Sequence, residues 1–593
     1  MISSYGEQVD IMEKNKLTWK IGGKAGEGIM ATGLIFSQSC SRGGLHVYDI
    51  NEYPSLIKGG HNTLQVRVED REIFSQVRSV NVLIALNKET ILMHRDELTS
   101  GGGIIYDSAE VLDRKDVRED IRLYPVPFNN IIKEIGAEPI MKNNVALGAS
   151  IALINYDFDV VAVVIKDTFK RKGDKIINDN TMAARAGYDY LKKNFPDDFN
   201  FKLEKIGTGG RMLLTGNDAI CMGAIKAGCK FYSAYPMTPV SSILHFMAAQ
   251  ERRFNIVVKH TEDEIAAINM AIGAGFAGVR AMCGTSGGGF CLMSEGYGLA
   301  GMIEVPVVII MGMRPGPSTG MPTWSEQGDF KFVLSASQGD FPRPVLVPGD
   351  NEECFYMTQE AFNIAEKYQT PVIVLTDKNL AESHKTTEKF DQRRITIDRG
   401  IYATASELAA SDEKTFFKRY RYTENGVSPR TIPGTKKGIY TATSDEHDEE
   451  GIITEDIDNR IKMMKKRMRK LDSFAKELKQ PVLVGPGDAA VTIIAAGSTK
   501  GPIKEAMMML EKDGVKVNYL QILYLNPFPA EKVAKVMDSA KKTVVVENNF
   551  TGQLADIIRE KTGKSVSRRI LKYDGRPFYP EEIHREIMEV AHG

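Results

Sequence analysis

The sequence predicts an α/β protein built from parallel-sheet domains. Three observations carry this reading. Short runs of consecutive apolar residues end in glycine- or proline-bearing turns that lead into helical patterns, as expected of parallel strands buried on both faces. Four such blocks fall within residues 235–329. That density points to one site at one edge of a parallel sheet, because ligands of open α/β sheets bind beyond the carboxyl ends of the strands. The chain of 593 residues is 42% hydrophobic and 26% charged, enough apolar material for about three to five domains with their own cores.

The formal net charge of −1 argues against a nucleic-acid or bulk membrane partner. The six cysteines, Cys40, Cys221, Cys229, Cys283, Cys291 and Cys354, include no C-x-x-C pair. That argues against structural zinc, a cluster ligated within this chain, or a disulfide framework. They read as reduced, mostly buried thiols. Residues 1–20 carry no apolar signal-peptide core. The strongest apolar runs, such as 305–313, fall far short of the ~20 residues of a membrane span. A cytoplasmic protein is expected.

Taken in order, residues 17–21 read as a buried strand. It runs through Gly22, Gly23, Gly26 and Gly28 into an apolar-periodic helix carrying Met30, Leu34 and Ile35. Residues 26–31 fit G-x-G-x-x-A with Asp49 about twenty residues on, the spacing of a dinucleotide fingerprint. A tight turn needs the same glycines. Further strands are expected at 64–68, 82–86, 103–106 and 123–126, with helices at 143–153 and 179–192. The polar loop 52–61, which holds Lys58, either touches a phosphate or a partner chain or is a plain connection.

A polar linker, 197–210, precedes a small-residue helix that begins near Gly216. The strand 231–234 then delivers Tyr235-Pro236-Met237-Thr238-Pro239. Its two prolines fix φ and restrict their neighbours, so Thr238 is held in one place. After a strand at 256–258, Glu262, Asp263 and Glu264 open a helix of almost entirely small and apolar residues, expected to be buried all round. These acids either complement the helix dipole, or one of them lies near the interior with a raised pKa and holds a proton. Residues 281–289, which include Thr285 and Ser286, read as a strand and a glycine loop before a helix from Phe290. A strand at 305–311 leads to Arg314, which either clamps a carboxylate or makes a structural salt bridge. The loop 314–323 is stiffened by Pro315, Pro317 and Pro322, and it carries Ser318 and Thr319. Strands at 344–347 and 371–375 follow. Residues 382–479 read as a solvated connection with one charged helix, 456–478. A last α/β unit has strands at 491–495, 517–522 and 543–547, the last ending in Glu547-Asn548-Asn549.

These blocks, in this order, resemble the 2-oxoacid:ferredoxin oxidoreductases, as an alpha subunit with the gamma domain fused ahead of it. Tyr235 to Pro239 resembles the family's Y-P-I-T-P motif with Met237 in the isoleucine place. Glu262 to Met270, Thr285 to Phe290 and Gly316 to Thr323 resemble its thiamine-pyrimidine domain, and Val544 to Leu554 its transketolase C-terminal type domain. The domains so implied are a gamma-type domain at 1–196, a linker at 197–210, a thiamine-pyrimidine-binding domain at 211–385, a charged linker and helix at 386–480, and a transketolase C-terminal-like domain at 481–593.

The resemblance implies oxidative decarboxylation of a 2-oxoacid with coenzyme A, reducing ferredoxin. Thiamine diphosphate is the implied cofactor. Glu264 matches the acid that binds the aminopyrimidine, with Glu262 as the fallback. Tyr235, Pro236, Thr285 and Ser286 would line the same cofactor site. Thr238 matches the threonine at the substrate, and Arg314 would meet the substrate carboxylate or a nearby phosphate. Ser318, Thr319, Trp324 and Lys58 are candidates for substrate or coenzyme A. Several relatives carry a basic residue where Trp324 stands, which favours a more apolar 2-oxoacid here. The chain has no G-D-G motif for Mg²⁺ and the diphosphate and no cysteine cluster. A beta subunit is therefore expected to bring the Mg²⁺-diphosphate half and a [4Fe-4S] cluster, in a hetero-oligomer of (alpha–beta)₂ type, with no metal held by this chain alone.

2-Oxoglutarate is the first substrate the resemblance suggests, followed by pyruvate, branched-chain or aryl 2-oxoacids. Other classes are a non-catalytic scaffold or regulatory subunit, a lipoate-using dehydrogenase component or transketolase, and a nucleotide-dependent enzyme using residues 26–31. Thr238, Glu264 and Arg314 speak against the first of these. The gamma-like domain speaks against the second, and NAD(H) titration would test the third.

Overall fold

The computed structural model describes residues 13–56, 59–197, 199–410 and 416–593. The chain divides into two compact units. One comprises Met1–Leu214 with Ser383–Lys389, the other Thr215–Glu382 with Phe390–Gly593.

The first unit is built on an eight-stranded sheet. Its order is Arg122–Val126, Leu98–Asp107, Val80–Ala85, Lys16–Lys24, His61–Glu69, His46–Glu52, Lys385–Thr387 and Met212–Leu214. The first four strands run parallel and the rest pair antiparallel. Half of this sheet therefore departs from the all-parallel pattern. The reason lies in the loop 52–61, which is short enough to return the chain as a neighbouring antiparallel strand without a crossover helix. The central strand Lys16–Lys24 is buried along seven of its nine residues, Lys20 among them, its ammonium paired with Glu97 at 2.5 Å. Trp19 stacks on Phe36 with ring centroids 4.6 Å apart and donates its indole N–H to Ser150 Oγ at 3.0 Å.

The second unit holds two sheets. A seven-stranded sheet runs Val257–His260, Phe231–Ala234, Ala281–Ser286, Val307–Met313, Pro371–Asp377, Val345–Leu346 and Tyr524–Asn526. It is parallel except at its last pair. A five-stranded sheet runs Leu483–Val484, Val517–Ile522, Val491–Ala496, Thr543–Glu547 and Arg568–Leu571, parallel except at its first pair. Ile309 and Ile373 of the larger sheet share one apolar core with Ile494, Leu520 and Val545 of the smaller. Residues 481–593 thus do not stand apart. They contribute a strand to the larger sheet and one side of a common core.

Two expectations from sequence are corrected. The segment after 390 is not a solvated connection. Its charged helix, Ile457–Glu477, buries Lys466, Arg467 and Lys470. The two lysine ammoniums meet the fully buried carboxylate of Glu304 at 2.7 and 2.5 Å. A second buried carboxylate, Glu366, is met at 2.7 Å each by Arg280, Arg399 and Arg430. Nor is the helix Glu264–Phe276 buried all round, since Ile265 and Met270 are 49% and 46% exposed. Five of the six cysteines are buried, and Cys291 is exposed. Among the described residues no helix is long and apolar enough to cross a membrane.

Candidate active site

The site lies at the carboxyl ends of Phe231–Ala234, Ala281–Ser286 and Val307–Met313 in the second unit. Tyr235, Pro236 and Thr238 leave the first of these strands. Asn217, in the first turn of Gly216–Lys226, fixes their turn by donating to Pro239 O and Ser242 Oγ, both at 2.8 Å. Arg314 leaves the third strand and donates to Thr238 O at 2.8 Å. The rigid proline turn and the arginine are thus one assembly. The Arg314 bond to Thr238 is a backbone contact, so the structural salt bridge considered from sequence is not its main partnership.

The three acids at 262–264 separate by role. Glu262 is exposed. Asp263 caps the helix, its Oδ1 accepting from Ala266 N at 2.8 Å. Glu264 is 3% exposed, and its Oε1 is buried without a hydrogen-bond partner. Burial raises its pKa and Asp263 adds to this, while its own backbone and Arg314 oppose it. An unpartnered buried carboxyl oxygen costs about 1–3 kcal/mol.

The glycines that read as a loop instead form the first turn of the helix Gly287–Met302. Their role is room. A Cβ at Gly289 would overlap Thr285 Oγ1 and Glu264 Oε1, and one at Gly287 would lie 2.7 Å from Asp329 Oδ2. Thr285 and Ser286 are fully buried, and Ser286 Oγ also lacks a partner. Glu264 Oε1 therefore lies without a partner in the space that a side chain at 289 would take, and Ser286 Oγ, at the end of Ala281–Ser286, is a second unpartnered oxygen. This fits the polar edge of an aminopyrimidine.

Asp329 and Asn217 were not singled out from sequence. Asp329 is pushed up to about 6 by burial, with Arg314 opposing, and it in turn helps burial to raise Glu326. The signal available was the acid pair Glu326 and Asp329 directly after the proline loop. Ser318 holds a left-handed conformation with φ 55, an arrangement that costs a non-glycine residue of order 1–3 kcal/mol and clusters at functional sites. Ser318 and Thr319 are exposed on the loop. Trp324 lies under the guanidinium of Arg576. Lys58 lies outside the described residues.

In the first unit, Asp49 is 1% exposed. It accepts from Ser37 Oγ at 3.0 Å and His384 N at 2.9 Å and pairs with His384 Nδ1 at 3.0 Å. It lies on a strand separated from Lys16–Lys24 by an antiparallel neighbour. A ribose-binding acid would end the adjacent parallel strand. The glycines at 26 and 28 therefore serve a turn, not a dinucleotide. Among the described residues, no group of three or more His, Cys, Asp or Glu is placed to hold a metal ion.

Three family models match in turn. "Pyruvate ferredoxin/flavodoxin oxidoreductase" covers residues 18–190, "Pyruvate flavodoxin/ferredoxin oxidoreductase, thiamine diP-bdg" covers 222–466, and "Pyruvate:ferredoxin oxidoreductase core domain II" covers 489–583. The fold and the matched family models together define a thiamine-diphosphate-dependent oxidoreductase. A 2-oxoacid:ferredoxin oxidoreductase subunit alpha from Sulfolobus sp is 34% identical over 97% of this chain and 97% of the relative. The 2-oxoglutarate oxidoreductase subunit KorA of Mycobacterium tuberculosis is 29% identical over 97% and 91%. Among solved structures, the 2-oxoglutarate:ferredoxin oxidoreductase from Magnetococcus marinus with 2-oxoglutarate, coenzyme A and succinyl-CoA bound is 34% identical. It matches with a TM-score of 0.90 over 98% of this chain and 100% of that one. The chain belongs to the 2-oxoacid:ferredoxin oxidoreductases and corresponds to their alpha subunit.

Proposed function

We propose that this subunit oxidatively decarboxylates 2-oxoglutarate with coenzyme A, giving succinyl-CoA and CO₂ and passing an electron pair to ferredoxin. Two relatives are named for 2-oxoglutarate, which supports that acid ahead of pyruvate and the branched-chain or aryl 2-oxoacids. The observation that carries the reading is the buried, unpartnered Oε1 of Glu264 in the space left by Gly289. Thiamine diphosphate, when bound, supplies the nucleophile and the electron sink for cleaving the bond between carboxylate and carbonyl carbons. Glu264, its pKa raised by burial, would share a proton with the aminopyrimidine. Thr285 and Ser286 would line the ring, with Tyr235 and Pro236 at its edge. Thr238 and Arg314 would orient the 2-oxoacid, the guanidinium meeting its carboxylate. Ser318 and Thr319 would meet substrate or coenzyme A.

A beta subunit would supply the Mg²⁺-diphosphate half and a [4Fe-4S] cluster, completing an (alpha–beta)₂ particle. The exposed apolar side chains Ile265, Met270 and Leu292, on the two helices beside the site, support such a partner. A partner would cover such exposed apolar side chains beside the site.

The test is anaerobic viologen reduction by the chain co-expressed with its beta subunit, with coenzyme A and a panel of 2-oxoacids. The expected result is thiamine- and coenzyme A-dependent reduction, fastest with 2-oxoglutarate. Glu264→Gln is expected to lower kcat by about 10²- to 10⁴-fold without loss of assembly. Normal turnover in that variant would refute its role.

A further inference from the structure

Asp329 begins the short helix Phe330–Ser335, yet its side chain does not cap that helix. It turns instead to the first turn of Gly287–Met302, where a Cβ on Gly287 would lie 2.7 Å from its Oδ2 and 3.3 Å from its Oδ1. The strand register brings that turn beside Arg314. Ser286 and Gly312 are Cα partners on neighbouring parallel strands. Gly287 follows the first and Arg314 lies two residues beyond the second, so both leave adjacent strand ends. Each group acts on the other's charge. Burial lowers the pKa of the guanidinium, and Asp329 and then Glu264 oppose this. Burial raises the pKa of Asp329, and Arg314 opposes that.

The charged groups around Asp329 come from four elements. On its own loop, Glu326 is raised by burial and by Asp329 itself. On the short helix, Lys331 is paired with Asp556 at 2.5 Å. The helix Gln553–Thr562 packs on this segment, Gln553 Nε2 donating to Gly328 O at 2.6 Å, but its Asp556 is taken by Lys331 and Arg569. The helix Gly287–Met302 carries Glu295 as its one charged residue, and it is exposed. Arg314 thus faces two carboxyls, Glu264 and Asp329, with a third, Glu326, on the same loop as Asp329.

A 2-oxoacid brings one more negative charge to this guanidinium, and buried charges are screened little. An ionised Asp329 would take up part of the arginine's field and repel the incoming carboxylate. A protonated Asp329 does neither, and when like charges share a site one of them gains a proton. The substrate carboxylate stays ionised through the neutral range, so the protein is the partner that takes the proton. We infer that Asp329 takes up a proton from solvent as the 2-oxoacid carboxylate enters beside Arg314, which links substrate binding to pH. Asp329 is a positioning residue, acting through the guanidinium. The inference rests on the substrate site proposed above at Arg314, and its test separates the two.

The binding-competent free enzyme is the form with Asp329 protonated, and it is lost as pH rises through the folded pKa of about 6. kcat/KM reports the free enzyme, so it should fall above that value. Anaerobic viologen reduction by the assembled complex is measured across the neutral pH range at varied 2-oxoglutarate, with coenzyme A saturating. In the wild type, kcat/KM is expected to fall about tenfold between pH 6.5 and 8, through KM, while kcat does not follow it. In Asp329→Asn, which cannot ionise, the fall should disappear, and in Asp329→Glu it should return. A flat wild-type profile overturns the inference without any variant. So does a fall that survives in Asp329→Asn, a loss by the same factor at every pH in that variant, or a pH dependence carried by kcat alone. An unaltered KM for 2-oxoglutarate in Arg314→Gln overturns the reading at Arg314 and this inference with it, whereas a fall surviving in Asp329→Asn overturns this inference alone.

Discussion

A methyl group at position 289 would occupy the space that the Thr285 hydroxyl and the Glu264 carboxyl now share. Gly289→Ala should therefore fold and assemble yet lose about 10²-fold in kcat, the cost of displacing a catalytic group by about an ångström. Circular dichroism and assembly assays would separate this from misfolding. Asp329 offers a pH test. Its folded pKa of about 6 lies above the ordinary carboxyl value of 3.8. Between those values the folded state holds a proton that the unfolded chain has released, so stability falls as pH rises through the window. Above pH 6 the cost is fully present, at most about 3 kcal/mol. Asp329→Asn should raise Tm at pH 7 to 8, with the gain vanishing below pH 4. A Tm difference independent of pH would contradict this. From sequence the acids 262–264 were legible only as a group at the head of an apolar helix, and Glu264 was singled out among them by the family resemblance. Asp329 and Asn217 were not, because each acquires its role from a group on another element.

Helices and strands were legible where a single face or a continuous apolar run dictated them. Phe231–Ala234, Val517–Ile522 and Thr543–Glu547 match their expected bounds. The helix Glu264–Phe276 was misjudged because its exposed face is also apolar. Hydropathy cannot distinguish a core from a surface that a second protein covers. Met270→Asp should abolish co-purification with the beta subunit while leaving the Tm of the isolated chain within about 2 °C, since surface substitutions cost little within the monomer. The charged helix Ile457–Glu477 was misjudged in the opposite direction. Its lysines are buried because Glu304 awaits them, and Glu304 lies far away in the chain. Glu304→Gln leaves two ammoniums buried without a counter-charge and should destabilise by about 3–5 kcal/mol, read from denaturant midpoints. Lys470 is pushed down to about 7 by burial, with Lys466 adding and Glu304 opposing. From there to 10.5 the unfolded chain binds a proton that the folded protein has released. The Lys470 contribution to stability therefore rises with pH across this window, and Lys470→Met should flatten that slope.

At the scale of the molecule, the order of blocks made the α/β class and the family legible, since each block is a strand end built for binding. The sharing of strands between distant segments was not legible, because two- and three-residue pairings leave no periodic trace. The isolated chain lacks the diphosphate motif, so it should show no saturable thiamine diphosphate binding by calorimetry. Binding should appear when the beta subunit is added. Tight binding by the chain alone would place the whole cofactor site within it. One pairing also bears on how the polypeptide is made. Lys385–Thr387 lies between His46–Glu52 and Met212–Leu214 in the first sheet. A ribosome that has released residues 1–214 has therefore produced a sheet with an unfilled slot and an open strand edge, the template on which nascent chains aggregate. The slot closes only after some 170 further residues of the second unit have emerged. Synthesis of this chain thus runs with its earliest part unfinished until its middle is complete, and a ribosome stalled near residue 300 should yield a product that chaperones retain.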